Sequence, residues 1–232
     1  PHAGTYLPED LAARLTPAAL SLPDTDWHVH ELYRLAERSG AGLLYATHSR
    51  YVVDLNRDPA ELDPEMFEER PPHSPQSNSA RVQAGLGAIP RISGDGQNIY
   101  RRKLSLSEAE RRMASVHRPY HALLANLMAE IKEQFGCAVL IDCHSMPSNA
   151  RGAHAPDIVL GDRFGASCHP SVTALAEATL RRLGYRVARN APFADAGPGQ
   201  RHRRHPLQPS RRRLPHRQVP PERCRPIRAC RE

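Results

Sequence analysis

The stretch CAVLIDCHS, residues 137–145, joins a continuous apolar run to a polar end. A run of this kind is typical of a strand that is buried on both faces of a parallel sheet. Asp142 and His144 follow the run, and ligands of α/β sheets bind outside the carboxyl ends of the strands. A metal or catalytic site would explain this polar end, but so would an Asp–His–Ser turn that only closes the strand. The stretch alone leaves both interpretations open.

Strand and helix patterns alternate along residues 1–193, which predicts an α/β fold with a largely parallel sheet covered on both faces. The predicted strands are 42–47, 51–55, 137–142 and 185–189, and the predicted helices are 24–40, 107–136 and 169–184. Residues 58–100 are rich in Pro, Gly, Ser and Asn, and we expect them to form a long excursion that covers the active site.

Polar residues mark the ends of the predicted helices. Asp24 or Asp26 is expected to cap the first helix. Ser107 and Glu110 form a capping-box pattern at the start of the second helix. Pro119 is expected to kink or divide that helix, because proline cannot donate a backbone hydrogen bond.

The net charge of +7 is concentrated at the end of the chain. Residues 194–232 contain 11 arginines and three acidic residues, so they carry +8 and residues 1–193 carry −1. Arg and Pro fill 18 of those 39 positions, and hydrophobic periodicity stops there. We therefore divide the chain into a catalytic domain, 1–193, and an aberrant tail, 194–232, which we expect to be disordered.

Several protein classes are disfavoured by the sequence. No apolar run approaches the roughly 18 residues of a membrane span, and no signal peptide is recognisable. The five cysteines form no CxxC pair, which favours the reducing cytoplasm. The chain begins at Pro1, so we expect residues to be missing upstream. No complete dinucleotide-binding loop, Walker loop or GxSxG elbow is present.

Three predicted strands deliver polar side chains to the same edge of the sheet. After 51–55 come Asn56 and Arg57, whose amide and planar guanidinium suit a carboxylate. An internal ion pair of Arg57 with Asp54 or Asp58 is the alternative. Asn190 follows the last predicted strand. Core packing alone explains such a convergence poorly.

Two further histidines and a carboxylate enter the argument. His2 lies in the PHAG turn and is a possible metal ligand, although a lone histidine is more often structural. A site with two histidines lacks a carboxylate, which Asp24 or Asp26 could supply. His121 lies in the middle of a predicted helix, and we interpret it as a core or surface histidine.

Six motifs occur in one order over residues 1–193: PHAG, DTDW, SRYVVDLNRDP, IYRRKLS, RPYH and LIDCHSMPS. Together they resemble the N-formylglutamate amidohydrolase family, which is related to zinc carboxypeptidases. The resemblance implies a three-layer α/β/α zinc-hydrolase fold. It also implies zinc-dependent hydrolysis of N-formyl-L-glutamate to formate and L-glutamate, a late step of histidine degradation.

The resemblance also assigns individual residues. It implies Zn2+ ligation by His2, His144 and Asp26, with Asp24 as the reserve for the third ligand. It further implies that Asn56 and Arg57 hold a carboxylate of the substrate. From their places after predicted strands, we add Asn190 as a substrate-binding residue and Asp142 as the residue that orients His144. A small N-acyl amino acid is the expected partner.

The sequence departs from the family after VARNAPF, where a Gly-Gly turn and a Gln-x-Glu strand are expected. LQPS, residues 207–210, has no acid at the place of the general-base glutamate, so we assign no catalytic residue. A shift of reading frame near residue 194 is our hypothesis, because out-of-frame GC-rich codons yield much Arg and Pro. A genuine basic tail that binds nucleic acid is the alternative.

Other functions stay open at this point. One is a carboxypeptidase-like or other N-acyl amino acid hydrolase. Another is an inactive degenerate homologue, or a protein that binds nucleic acid through its tail. The sequence does not establish whether this chain is active or which oligomeric state it adopts.

Overall fold

The computed structural model describes residues 1–146 and 156–191. Its α-helices are α1 (Glu9–Ala12), α2 (Pro17–Leu20), α3 (Val29–Leu32), α4 (Arg34–Arg38), α5 (Ala80–Gln83), α6 (Leu106–Arg112), α7 (Arg118–Phe135) and α8 (Pro170–Arg182). Two 3-10 helices span Pro64–Met66 and Pro75–Asn78. A single turn of π-helix, called the π turn below, spans Met113–His117. Strands β1 (Ile158–Leu160) and β2 (Val187–Arg189) form a parallel pair. The chain is therefore a mixed α/β protein.

The β1–α8–β2 unit confirms the predictions for residues 169–189. Strand β2 lies within the predicted strand 185–189, and α8 carries Pro170 in its first turn. The helix stops before Gly184, whose φ of 91° suits glycine. These predictions rest on local signals, because helix caps and stops depend on the backbone of a few neighbouring residues.

The strands predicted at 42–47, 51–55 and 137–142 are wrong, since none of them forms a ladder within the described residues. In 137–142, the side chains of Val139, Leu140 and Ile141 are 54%, 57% and 73% exposed. A strand buried on both faces needs two neighbouring layers, and the apolar run supplies only its own half of that packing.

Residues 51–55 are buried but not paired as a strand. Their carbonyl groups accept hydrogen bonds from side chains instead. Arg112 Nη1 donates to the carbonyl of residue 52 at 3.2 Å, His121 Nε2 donates to that of residue 55 at 2.9 Å, and the Tyr100 hydroxyl donates to that of residue 51. Buried carbonyls need partners, and here side chains from Tyr100 and from the helices α6 and α7 replace the strand ladder.

The predicted first helix, 24–40, is present as two short helices, α3 and α4. The prediction that Asp24 or Asp26 caps it is wrong, because α3 begins after His28 and has no side-chain cap. Both carboxylates accept hydrogen bonds from other parts of the chain. Gly40 follows α4 with a φ of 82°, as a stop residue should.

The predicted capping box lies two residues too far along the chain. Ser105, not Ser107, caps α6, and its hydroxyl accepts from the Glu108 backbone at 3.3 Å. The Glu108 carboxylate instead binds Arg14 at 2.6 Å. The prediction for Pro119 is confirmed, since the helix is divided by the π turn and α7 begins with Pro119 in its first turn.

One apolar cluster forms the core, and its buried members include Leu11, Leu15, Tyr51, Val53, Met66, Phe67, Ile89, Ile99, Leu104 and Met113. Residues 58–100 are largely irregular, as predicted, but they contribute Phe67, Ile89 and Ile99 to this core. These residues therefore also build the core, and their role as a cover of the active site stays a prediction. Among the helices that the structure describes, none is long and apolar enough to cross a membrane.

Candidate metal centre

His2, Asp26 and His144 converge from three distant parts of the chain. Their potential ligand atoms lie within 4.8 Å of one another. Asp26 Oδ2 is 3.6 Å from His2 Nδ1 and 2.9 Å from His144 Nδ1. The rings of the two histidines are also neighbours, with centroids 4.9 Å apart. The arrangement joins two imidazoles and one carboxylate around a single point.

The backbone around His2 fixes this ligand in place. The Asp26 N–H donates to the His2 carbonyl at 3.0 Å, so two of the three residues are joined through the main chain. Gly4 permits a close approach, because a Cβ there would lie 2.1 Å from the His48 carbonyl oxygen. The PHAG turn therefore requires glycine at this position.

Asp54 orients the His2 ring from the side that faces away from the triad. His2 Nε2 lies 2.7 Å from Asp54 Oδ1, so the proton on Nε2 leaves Nδ1 facing Asp26. Arg50 donates to the other Asp54 oxygen at 2.6 Å, and the Asn56 backbone N–H donates at 2.9 Å. Burial alone would raise the pKa of Asp54, but the charges of His2 and Arg50 hold it well below its usual range.

His144 has an acceptor on each ring nitrogen. Nδ1 contacts Asp26, and Nε2 lies 3.1 Å from Asp142 Oδ2. The side chain is 26% exposed. Burial opposes the charged imidazolium, but the hydrogen bonds of Asp142 and Asp26 raise the pKa of His144 to about 9. The pKa of Asp142 is lowered in turn: burial opposes this shift, and the hydrogen bond with His144 outweighs it.

Asn56 approaches the same nitrogen of His144, with Nδ2 at 3.1 Å from Nε2. An amide N–H can donate only to an unprotonated nitrogen, whereas Asp142 can accept only from a protonated one. The proton on Nε2 therefore decides whether Asn56 or Asp142 binds His144. Asp142 thus occupies the orienting position that the sequence predicts, and its role stays a prediction.

Asp26, rather than Asp24, faces the two histidines. Ser145 donates to Asp26 from its backbone at 3.0 Å and from its hydroxyl at 2.7 Å. Burial would raise the pKa of Asp26, but the hydrogen bonds of His144, His2 and Ser145 keep it far below the ordinary value. Asp24 accepts instead from the Tyr51 hydroxyl at 2.9 Å. It has no place in the triad.

Arg57 lies beside the site but binds backbone groups. Its Nε donates to the Leu86 carbonyl at 3.0 Å and its Nη1 to the Asn56 carbonyl at 3.1 Å. Within 1–146 and 156–191 it forms no ion pair with Asp54 or Asp58, which was the alternative interpretation. Burial lowers the pKa of the Arg57 guanidinium. Its second terminal nitrogen forms no hydrogen bond with the residues that the structure describes.

Asn190 is engaged elsewhere. Its side-chain amide donates to Asp162 Oδ1 at 2.7 Å, and its side-chain oxygen accepts from the Asp162 backbone at 3.0 Å. These bonds close the end of the β1–β2 pair, where Asn190 has a φ of 52°. The geometry gives Asn190 a structural role, and its predicted contact with substrate stays untested.

The model of the N-formylglutamate amidohydrolase family matches residues 1–219. The chain belongs to this family. The match extends past residue 193, where we placed the domain boundary. Both the boundary and the tail stay predictions, because residues 147–155 and 192–232 lie outside the described part of the chain.

Individual relatives agree with the family assignment. The chain is 38% identical over 199 residues to the N-formylglutamate deformylase of Pseudomonas aeruginosa, which covers 83% of this chain and 69% of the relative. It is 35% identical over 175 residues to the N-formylglutamate deformylase of Pseudomonas putida, with 73% of this chain and 60% of the relative covered. Amidohydrolases and deformylases are hydrolases, so the chain is a member of a hydrolase family.

A solved structure is similar over the same extent. The crystal structure of N-formylglutamate amidohydrolase from Ralstonia eutropha JMP134 has a TM-score of 0.75 and 35% sequence identity to this chain. The similarity covers 84% of this chain and 71% of that one. The motifs quoted above therefore identified the family correctly.

Proposed function

We propose that this protein hydrolyses N-formyl-L-glutamate to formate and L-glutamate, using a zinc ion held by His2, Asp26 and His144. The convergence of their ligand atoms within 4.8 Å carries the proposal. The names of the relatives supply the substrate. A place in histidine degradation and in the cytoplasm belongs to the same proposal.

The residues present fit zinc. Two imidazole nitrogens and one carboxylate oxygen are a donor set of catalytic zinc sites, which keep a fourth position open. Asp26 stays ionised, and Asp54 and Asp142 accept from the distal nitrogens of the two histidines, as carboxylates commonly do around bound metals. When bound, zinc would polarise the formyl carbonyl and lower the pKa of its water towards about 7.

The protein residues around the triad would bind and orient the substrate. Asn56 lies next to His144. The orientation of the planar Arg57 guanidinium is fixed by its hydrogen bonds to two backbone carbonyls. Together they offer a neutral and a charged donor for one carboxylate of glutamate. Desolvation strengthens the attraction of Arg57 for an anion, because the guanidinium is half-buried.

The weak point of the proposed reaction is the proton acceptor. Among the described residues, the acids that contact the two histidines are Asp26, Asp54 and Asp142, and each has its pKa below the ordinary value. Such carboxylates accept protons poorly near neutral pH. We therefore expect slow turnover by this chain, and we assign none of the three as the general base.

We also propose the three-layer α/β/α zinc-hydrolase architecture for this protein. The parallel β1–α8–β2 unit and the similarity to the amidohydrolase structure support it.

Formate release tests the proposed activity. The purified protein is freed of metal, reloaded with one equivalent of Zn2+ and incubated with N-formyl-L-glutamate, and formate is measured with formate dehydrogenase. We expect slow, zinc-dependent release that is lost in His144→Ala. The matched control is His28→Ala, whose side chain is 76% exposed and lies outside the triad.

Two other results would redirect the proposal. Binding of one zinc ion per chain without formate release would indicate a degenerate homologue. Release of C-terminal residues from short peptides, with N-formyl-L-glutamate left intact, would indicate a carboxypeptidase-like enzyme.

A further inference from the structure

Two histidines outside the triad, His117 and His121, form hydrogen bonds with the backbone next to Asn56. His117 ends the π turn, and His121 lies four residues later in α7. Their rings are neighbours, with centroids 4.4 Å apart. His117 is 1% exposed, yet neither residue belongs to the metal centre.

Each histidine donates one hydrogen bond to the same short segment. His121 Nε2 lies 2.9 Å from the Leu55 carbonyl oxygen, and His117 Nε2 lies 3.0 Å from the Arg57 carbonyl oxygen. A carbonyl can only accept, so both imidazoles must carry a proton on Nε2. The two contacts therefore fix the protonation of the rings as well as the position of the segment.

The two bound carbonyls flank Asn56. On one side of this residue, Asp54 contacts His2, and the Asn56 side chain itself contacts His144. No strand ladder supports the segment within the described residues. The clamp formed by His117 and His121 thus links the long helix directly to the residues that touch both histidine ligands.

We propose that His117 and His121 are positioning residues, which hold the backbone from Leu55 to Arg57 so that Asn56 and Arg57 meet the substrate carboxylate beside the triad. The identity of the substrate rests on the proposed function. The placement of Asn56 against His144 does not, and it can be measured separately.

His121 offers a matched pair of variants. The side-chain nitrogen of glutamine occupies nearly the same place as Nε2 of histidine, whereas that of asparagine is one methylene shorter. His121→Gln should keep the bond to the Leu55 carbonyl, and His121→Asn should lose it. Both substitutions are polar, and the side chain is only half-buried, so folding can be verified by melting temperature.

Binding of L-glutamate to the zinc-loaded protein is the first readout. We expect His121→Asn to weaken binding about 10- to 100-fold, the range for a lost, partly buried hydrogen bond. His121→Gln should remain within about threefold of the parent, and both variants should keep one zinc ion per chain. Equal glutamate binding by His121→Asn and the parent would overturn the proposal.

The second readout does not depend on substrate. Long-range nitrogen–proton NMR should show His117 and His121 as Nε2–H tautomers. The Nε2 chemical shift of His144 should differ from that of the parent protein in His121→Asn and match it in His121→Gln. An Nδ1–H tautomer for His121, or an unchanged His144 signal in the asparagine variant, would overturn the clamp. If the parent binds no glutamate, the proposed function fails, while these signals still decide the positioning role.

Discussion

Asp26 Oδ2 lies 2.9 Å from His144 Nδ1, although the two residues are 118 positions apart in the chain. The next residue, Ser145, donates twice to the other oxygen of the same carboxylate. One carboxylate therefore ties the end of the 137–145 segment to the N-terminal part of the chain. Its Oδ2 contacts His144, a potential metal ligand, and its Oδ1 accepts both hydrogen bonds from Ser145.

Separate substitution of Asp26 and Asp24 should show which of the two aspartates binds zinc. We expect Asp26→Asn to lower zinc affinity by at least about tenfold, because it removes the charged ligand oxygen. Asp24→Asn keeps an oxygen acceptor for Tyr51 and should leave zinc affinity unchanged. Competition with a coloured chelator measures both. A larger loss in Asp24→Asn would show that the wrong aspartate was assigned.

Asp54 should matter for both zinc affinity and stability. Asp54→Asn removes the carboxylate that orients His2, and loss of such a partner typically weakens metal binding about 10- to 100-fold. It also leaves Arg50 without its buried counter-charge, which costs about 3 to 5 kcal/mol. Chelator competition and urea unfolding measure the two effects. Asp58→Asn is the control, since the Asp58 carboxylate accepts from the nearby Ala60 backbone N–H and Asp58 lies outside the triad.

The metal-free protein should lose stability between about pH 6.5 and 9. His144 has its pKa raised from 6.5 to about 9, because the bonds to Asp142 and Asp26 outweigh burial. A group with a raised pKa stabilises the folded state fully below its unfolded pKa, and this stabilisation disappears as the pH passes the folded pKa. We expect a loss on the order of 2 kcal/mol, reduced by solvent screening.

Urea unfolding with a chelator present, at pH 6.5 and pH 9, measures this loss. His144→Gln cannot titrate, so its stability should change less over the same interval. Equal slopes for the two proteins would assign the pH dependence to other groups.

Substitution of Ile141 tests the described geometry of the 137–142 run. Its side chain is 73% exposed, so Ile141→Lys should change the free energy of unfolding by less than about 0.5 kcal/mol. Val53→Lys, at a position that is 1% exposed, should unfold the protein. Unfolding by Ile141→Lys as well would contradict the exposure of this run and favour the buried strand that the sequence analysis predicted.

Resequencing of the coding DNA tests the hypothesis that the reading frame shifts near residue 194. We expect another reading frame of the coding sequence past codon 194 to encode a Gly-Gly turn followed by a Gln-x-Glu strand. Resequencing and translation of all three frames decide this. Absence of such a strand from every frame would make the basic tail genuine, and salt-dependent DNA binding by the protein should then be measured.

The sequence predicted local features more accurately than pairing. Helix α8 has a proline in its first turn and a glycine after its end. Both residues indicate the bounds of the helix without knowledge of other parts of the chain. The run 137–142 has the composition of a buried strand, but burial depends on neighbours that its own residues do not specify. Residues 51–55 show the converse, because distant side chains satisfy their carbonyls.

Motif order predicted that His2, Asp26 and His144 belong together, and the structure brings them close to one another. Of the carboxylates beside the two histidines, Asp142 was predicted and Asp54 was not. Asp24 and Asp26 are too close in sequence for spacing to separate them, and only tertiary packing places Asp26 against the histidines. Asp54 was considered as an ion-pair partner of Arg57 and not as a partner of His2. Its position inside the apolar run YVVDL was the available signal, because a buried carboxylate requires compensating donors.

The π turn at Met113–His117 sets the angular phase of the long helix. Arg112 and His117 both reach residues of 52–57, although five α-helical positions would rotate them about 140° apart. The wider turn absorbs one extra residue and brings them back to the same side. Removal of Ala114 would restore four-residue spacing between the two side chains. The chain can therefore lose a residue here and keep both side chains on the same side of a now regular helix.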